Sequence, residues 1–157
     1  MANDYEGFLF AAANDVQAIE ALAQISIETH SEVIAFHAQQ ASEKVLKHVF
    51  AEHDETAPKT HAVDELLARA VELGWLSEGA LACSEAAASL TQFAVLARYT
   101  QARDIGVGEA LQAMADYKQI VEMLEKEGYA AVPLAVPAEY LSKAVDEQVN
   151  DGQGATA

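Results

Sequence analysis

The chain has 157 residues, with 25 Asp and Glu against 9 Lys and Arg for a formal charge of −16, a field that repels phosphate backbones and anionic membranes and argues against non-specific nucleic-acid binding. A single cysteine, Cys83, excludes an internal disulfide and a thiolate metal cluster from one chain. Abundant alanine, only 3 prolines and few β-branched or aromatic residues favour an all-α fold, and the length fits one domain able to bury its own core.

The N-terminus, Met1-Ala2-Asn3-Asp4-Tyr5-Glu6, lacks the basic region and continuous apolar run of a signal peptide, and no stretch approaches ~18 uninterrupted apolar residues, so a cytoplasmic location is expected. Apolar spacing predicts a first helix over residues 4–27, opened by Asn3-x-x-Glu6 and burying Leu9, Ala12, Val16, Ile19 and Ala23. Thr29-x-x-Glu32 reads as a capping box for a second helix to residue 52, with Ile34, Ala38, Ala41, Val45 and Val49 on its buried face. The charged segment 52–58 ends in Pro58, which disfavours helix at the preceding residue, and marks a loop.

Thr60 is placed to cap a third helix carrying Val63, Leu66, Leu67, Ala70 and Val71, closed by Gly74 in a left-handed conformation. Ser77 then caps a fourth helix to residue 99 that buries Ala86, Leu90, Phe93, Ala94 and Ala97. Gly106-Val107-Gly108 separates it from a fifth helix with Ala110, Met114, Tyr117, Val121 and Leu124 inside, and Gly128 stops that helix. Residues 132–137 read as an extended linker, 138–149 as a short extra helix and 151–157 as a disordered tail. Short joints between long helices imply an antiparallel, up-and-down four-helix bundle with one additional short helix across an end. The domain expectation is therefore a bundle over 1–128, a linker and short helix over 129–150, and a tail over 151–157.

His37, Gln40, Lys44 and then Lys47 or His48 recur at three- and four-residue spacing, a polar line beside the apolar stripe of the second helix. Buried polar groups need partners, each unmet one costing about 1–3 kcal/mol. In the structural reading, Gln39, Gln40 and Glu43 bond to neighbouring helices or to a second subunit. Ferritin-like metal chemistry needs Glu-x-x-His pairs, and no Glu here has His three residues later. His37 and His48 would stand about 16 Å apart along one helix, too far to share an ion, so no metal or cofactor is expected.

The ordered set Phe36-His37-Ala38-Gln39-Gln40-Ala41-Ser42-Glu43-Lys44-Val45-Leu46-Lys47, then Pro58-Lys59-Thr60-His61, then Ala97-Arg98-Tyr99 resembles the HEPN domain, a family of small, mostly prokaryotic helical bundles, over roughly residues 4–127. The resemblance implies that Lys59 and His61 anchor their loop against the bundle. It also admits a functional reading of the polar line, in which His37, Gln40, Lys44 and Arg98 line a cleft that holds a phosphate or base. In the ribonuclease branch, an Arg is followed after four to six residues by His. Here Arg98 is followed at those distances by Arg103, Asp104 and Ile105. An Asp with an ordinary pKa near ~3.9 is a poor base at neutral pH, so Asp104 does not replace the missing imidazole. The resemblance therefore implies a non-catalytic binding or assembly module: a homodimer, with a nucleotide ligand and a minimal nucleotidyltransferase partner of the toxin–antitoxin kind. Two alternatives stand beside it. One is an active ribonuclease using Arg98 with His37, His61 or a partner's histidine, and the other an oligomeric scaffold without small ligand.

Overall fold

The computed structural model describes residues 5–96 and 105–136. Within them the fold is all-helical: α1 (Gly7–Ser26), α2 (Ser31–Glu52), α3 (Val63–Glu72), a 3-10 turn (Glu78–Cys83), α4 (Ser84–Leu96) and α5 (Val107–Lys126). The expected short helix over 138–149 and the disordered tail lie outside the described residues, as do Asn3, Ala97 and Arg98.

Helix α2 is the central element, packing against α1, α3, α4 and α5. Its small residues explain the crowding. Ala35, Ala38, Ala41 and Ser42 are fully buried, and short side chains at these positions let neighbouring helices approach closely. The predicted stripes of α1 and α2 are buried residue for residue, and so are Ala110, Met114, Tyr117, Val121 and Leu124 of α5.

The ends of α2, α3 and α5 are closed by two hydrogen bonds each from the residues just past the helix. Trp75 and Gly74 donate to Ala70 and Val71 after α3, with Gly74 at φ +78°. Tyr129 and Gly128 donate to Leu124 and Glu125 after α5, with Gly128 at φ +94°. The left-handed conformation these closures need suits glycine. After α2 the same pair of bonds, Glu55 to Phe50 and Asp54 to Ala51, runs through Asp54 at φ +54°.

Helix starts depart from the expected caps. The Thr29 box does not form: the backbone N–H of Thr29 donates to Ser26 Oγ, and the Ser31 hydroxyl turns back to the Ile27 and Glu28 carbonyls. Hydroxyls on both sides of a four-residue turn satisfy it locally, leaving no role for Thr29. Thr60 sits before the first turn of α3, accepting the Ala62 N–H, while the Val63 N–H is capped across the fold by Thr91 Oγ1 at 3.0 Å. Ser77 precedes the 3-10 turn, but its hydroxyl and N–H both turn to the Glu127 carboxylate.

After Gly128 the chain folds back along the bundle in extended form. Ala131, Val132, Leu134 and Val136 are buried in the common core. The Tyr117 hydroxyl, itself fully buried, donates to the Val132 carbonyl at 2.5 Å, and the Ala135 N–H donates to Glu20 Oε1 at 2.9 Å. Burial pushes the Tyr117 phenol far above its ordinary pKa. No helix among the described residues is long and apolar enough to cross a membrane.

Candidate functional site

The polar line of α2 resolves into two clusters, each built on a buried carboxylate. In the first, Asp15 of α1, only 7% exposed, faces α2 from within the apolar stripe of its own helix. His37 Nδ1 meets Asp15 Oδ1 at 2.7 Å and Lys44 Nζ donates to Asp15 Oδ2 at 2.5 Å. The two residues are seven apart, two helical turns, so their side chains reach the carboxylate from either side. A carboxylate fixed to Nδ1 orients the imidazole. The His37 and Lys44 side chains are each about one-quarter exposed. Two N–H-bearing groups thus stand together at the α1–α2 surface.

In the second cluster, Glu43 accepts from Lys47 Nζ at 2.8 Å, from Gln39 Nε2 at 3.2 Å and from His61 Nδ1 at 3.2 Å. The Gln39 amide also donates to the His61 carbonyl at 2.9 Å, and Gln40 Nε2 donates to Gln39 Oε1 at 2.6 Å. Burial raises the Glu43 pKa, but the hydrogen bonds from Lys47, His61 and Gln39 and the Lys47 charge outweigh it, and the net shift is downward. This cluster ties the segment before α3 onto α2 with its polar capacity largely used. Lys59 is exposed on the loop two residues before His61.

Of the ligand-binding candidates, His37 and Lys44 are therefore brought together, over Asp15. Gln40 is engaged with Gln39, and Arg98 lies outside the described residues. Gln39, Glu43 and His61 form one network, and Lys47 is its cation. Periodicity places Asp15 beside Ala12 and Ile19 on the buried face. An acid in that position is itself the signal for a buried ion pair, because an unpaired carboxylate there is too costly.

Among the described residues, no three His, Cys, Asp or Glu side chains are grouped so as to hold a metal ion. Cys83 is buried, and burial pushes its thiol pKa up, away from nucleophilic character.

Neither the search of curated proteins nor that of solved structures returned a match. The family model described as HEPN domain matches residues 5–127, the span that holds both α2 clusters and every described helix, and the chain belongs to the HEPN domain family.

Proposed function

We propose that this chain is a non-catalytic HEPN module that binds a nucleotide or other phosphate-bearing ligand and assembles as a homodimer of antiparallel four-helix bundles. The observation that carries the reading is the sequence after Arg98: Arg103, Asp104 and Ile105 occupy the positions where the family's ribonucleases carry His. Without that imidazole the standard arginine–histidine pair is incomplete, and no competent general base stands at those positions. The ligand reading is supported by His37 and Lys44, which both reach Asp15 and are each partly exposed, on a chain that is otherwise strongly acidic. In this proposal a phosphate takes up the N–H groups not turned to Asp15, Arg98 contributes from beyond α4, and a minimal nucleotidyltransferase is the partner, in toxin–antitoxin fashion. A cytoplasmic location accompanies it.

Thermal-shift screening against nucleoside mono-, di- and triphosphates tests the ligand. A rise in melting temperature that is lost in Lys44→Met is expected, whereas no rise with any nucleotide leaves the oligomeric scaffold as the better reading. Light scattering after size exclusion tests the dimer, and a monomer at micromolar concentration removes it.

One observation favours a second reading. An Asp15–His37 contact of 2.7 Å is the geometry by which a carboxylate orients a general-base histidine. RNA cleavage by the purified chain that disappears in both Arg98→Ala and His37→Ala would establish an active ribonuclease with a non-standard base.

A further inference from the structure

A cavity of about 310 Å³ lies between the 3-10 turn, α4 and α5, and none of its lining residues comes from α1 or α2. Asp116 of α5, 4% exposed, forms part of its wall. One carboxylate oxygen, Oδ1, accepts from Gln112 Nε2 at 2.8 Å, whereas the buried Oδ2 has no hydrogen-bond partner among the described residues. Folded proteins ordinarily satisfy such an atom, so an orphaned carboxylate oxygen in a cavity marks a place for a donor from outside. Burial raises the Asp116 pKa, with the Gln112 amide and the Ser89 hydroxyl limiting the rise.

The rest of the lining defines that donor. The Gln112 amide nitrogen is turned to Asp116, and the Gln119 amide nitrogen donates to the Ala82 carbonyl at 3.2 Å. The lining therefore carries acceptor capacity in the Asp116 carboxylate and the exposed carboxylate of Glu85, beside the Ser89 hydroxyl, which can donate or accept. Two carboxylates are too few for a metal site of the usual kind, and no metal-competent cluster occurs among the described residues. Ala82 and Ala86 add a short apolar stretch to the wall. A second cavity of about 300 Å³ shares Ala82 and Gln119 with the first and adds Glu122, which leaves room for an elongated ligand.

We propose that this cavity binds a primary ammonium or guanidinium group carried on a slender aliphatic stem. The N–H donors meet the Asp116 and Glu85 carboxylates, while the methylenes lie against Ala82 and Ala86. The formal charge of −16 raises the local concentration of such cations and steers them in. The site shares no residue with the His37–Lys44 pair, so either proposal can fail without the other.

Isothermal titration of the full chain with agmatine, putrescine and a doubly blocked arginine amide tests it. Tetramethylammonium, a cation without N–H donors, is the control. Saturable binding of at least one N–H-bearing probe is expected, with at least tenfold weaker binding in Asp116→Asn and in Ala82→Leu, which fills the cavity from an exposed position and leaves the carboxylate intact. Glu85→Gln, also at the exposed rim, weakens binding by a smaller factor. Binding of the blocked arginine as tightly as agmatine identifies a protein side chain as the source of the group. Binding of the free amines alone identifies a small metabolite. The proposal is overturned if no probe binds at millimolar concentration, if tetramethylammonium binds equally well, or if Ala82→Leu binds like the parent chain.

Discussion

Asp15 and Glu43 show how one helix face can carry basic side chains inside an acidic protein: each buried carboxylate is matched by a lysine and a histidine. Asp15→Asn removes the carboxylate shared by His37 and Lys44. A loss of about 1–3 kcal/mol by urea denaturation is expected, kept from being larger because both partners reach water. Glu43 behaves differently with pH. Its folded-state pKa lies below the ordinary 4.5, so its contribution is fully present above that value and disappears as pH falls through the folded-state pKa. The destabilisation caused by Glu43→Gln should therefore be clear at pH 7 and shrink in denaturation curves taken below about pH 4.5. Asp116 has the opposite sign. Its pKa is raised above 3.8, the ionised form is disfavoured by folding, and Asp116→Asn should stabilise the unliganded chain at neutral pH by a margin that vanishes as pH falls towards 3.8. At this scale the α2 members of both clusters were legible from spacing, because a helix fixes which side chains share a face. Asp15, the partner that decides what His37 and Lys44 do, comes from another helix, and single-helix periodicity carries no information about which helix lies opposite.

Helix stops were easier to read than helix starts, and the reason is chemical. Gly74 and Gly128 announce the left-handed residue that the closing bonds require, and both adopt it. A helix start can be satisfied by any nearby oxygen. Ser31 turns back upon the previous turn, and Thr91 reaches α3 from α4, so a local cap pattern is only one of several solutions. The third stop, at Asp54, uses the same geometry without glycine and is hidden in a charged stretch that reads simply as loop. A non-glycine residue at φ +54° carries a steric cost of roughly 1–2 kcal/mol, partly offset by the lower backbone freedom of Asp in the unfolded chain. Asp54→Gly is therefore expected to raise stability by about 0.5–1 kcal/mol, read as a higher urea midpoint at unchanged slope. A lower midpoint would show that the Asp side chain, rather than the backbone bonds, holds the end of α2.

Over the whole molecule, the residues after α5 complete the bundle, which their composition conceals. Pro133 and the small apolar residues around it make 129–136 look like a spacer, yet this stretch seals the core beside Tyr117 and α1. Its beginning is fastened at the end of the bundle where three chain segments meet. The Tyr129 hydroxyl donates to the Trp75 carbonyl at 3.1 Å and contacts His53 Nε2 at 2.7 Å, with the His53 ring stacked on Trp75 at 4.3 Å. These contacts pair positions up to 76 residues apart, and no local pattern foretells pairing over such distances. Two truncated chains separate a sealing role from a spacer role, one ending at Gly128 and one at Val136. They differ by the eight residues whose burial is at issue. If those residues act as a spacer, the two chains melt together. The contacts argue otherwise: the shorter chain leaves the Tyr117 hydroxyl without its carbonyl, an unmet buried group costing about 1–3 kcal/mol. It also uncovers the surface that Val132, Leu134 and Val136 shield, each worth about 1.5–3 kcal/mol before the ordering of the segment is subtracted. The chain ending at Gly128 should melt well below the chain ending at Val136, and Leu134→Ala in the full chain should reproduce part of that loss, about 2 kcal/mol or more.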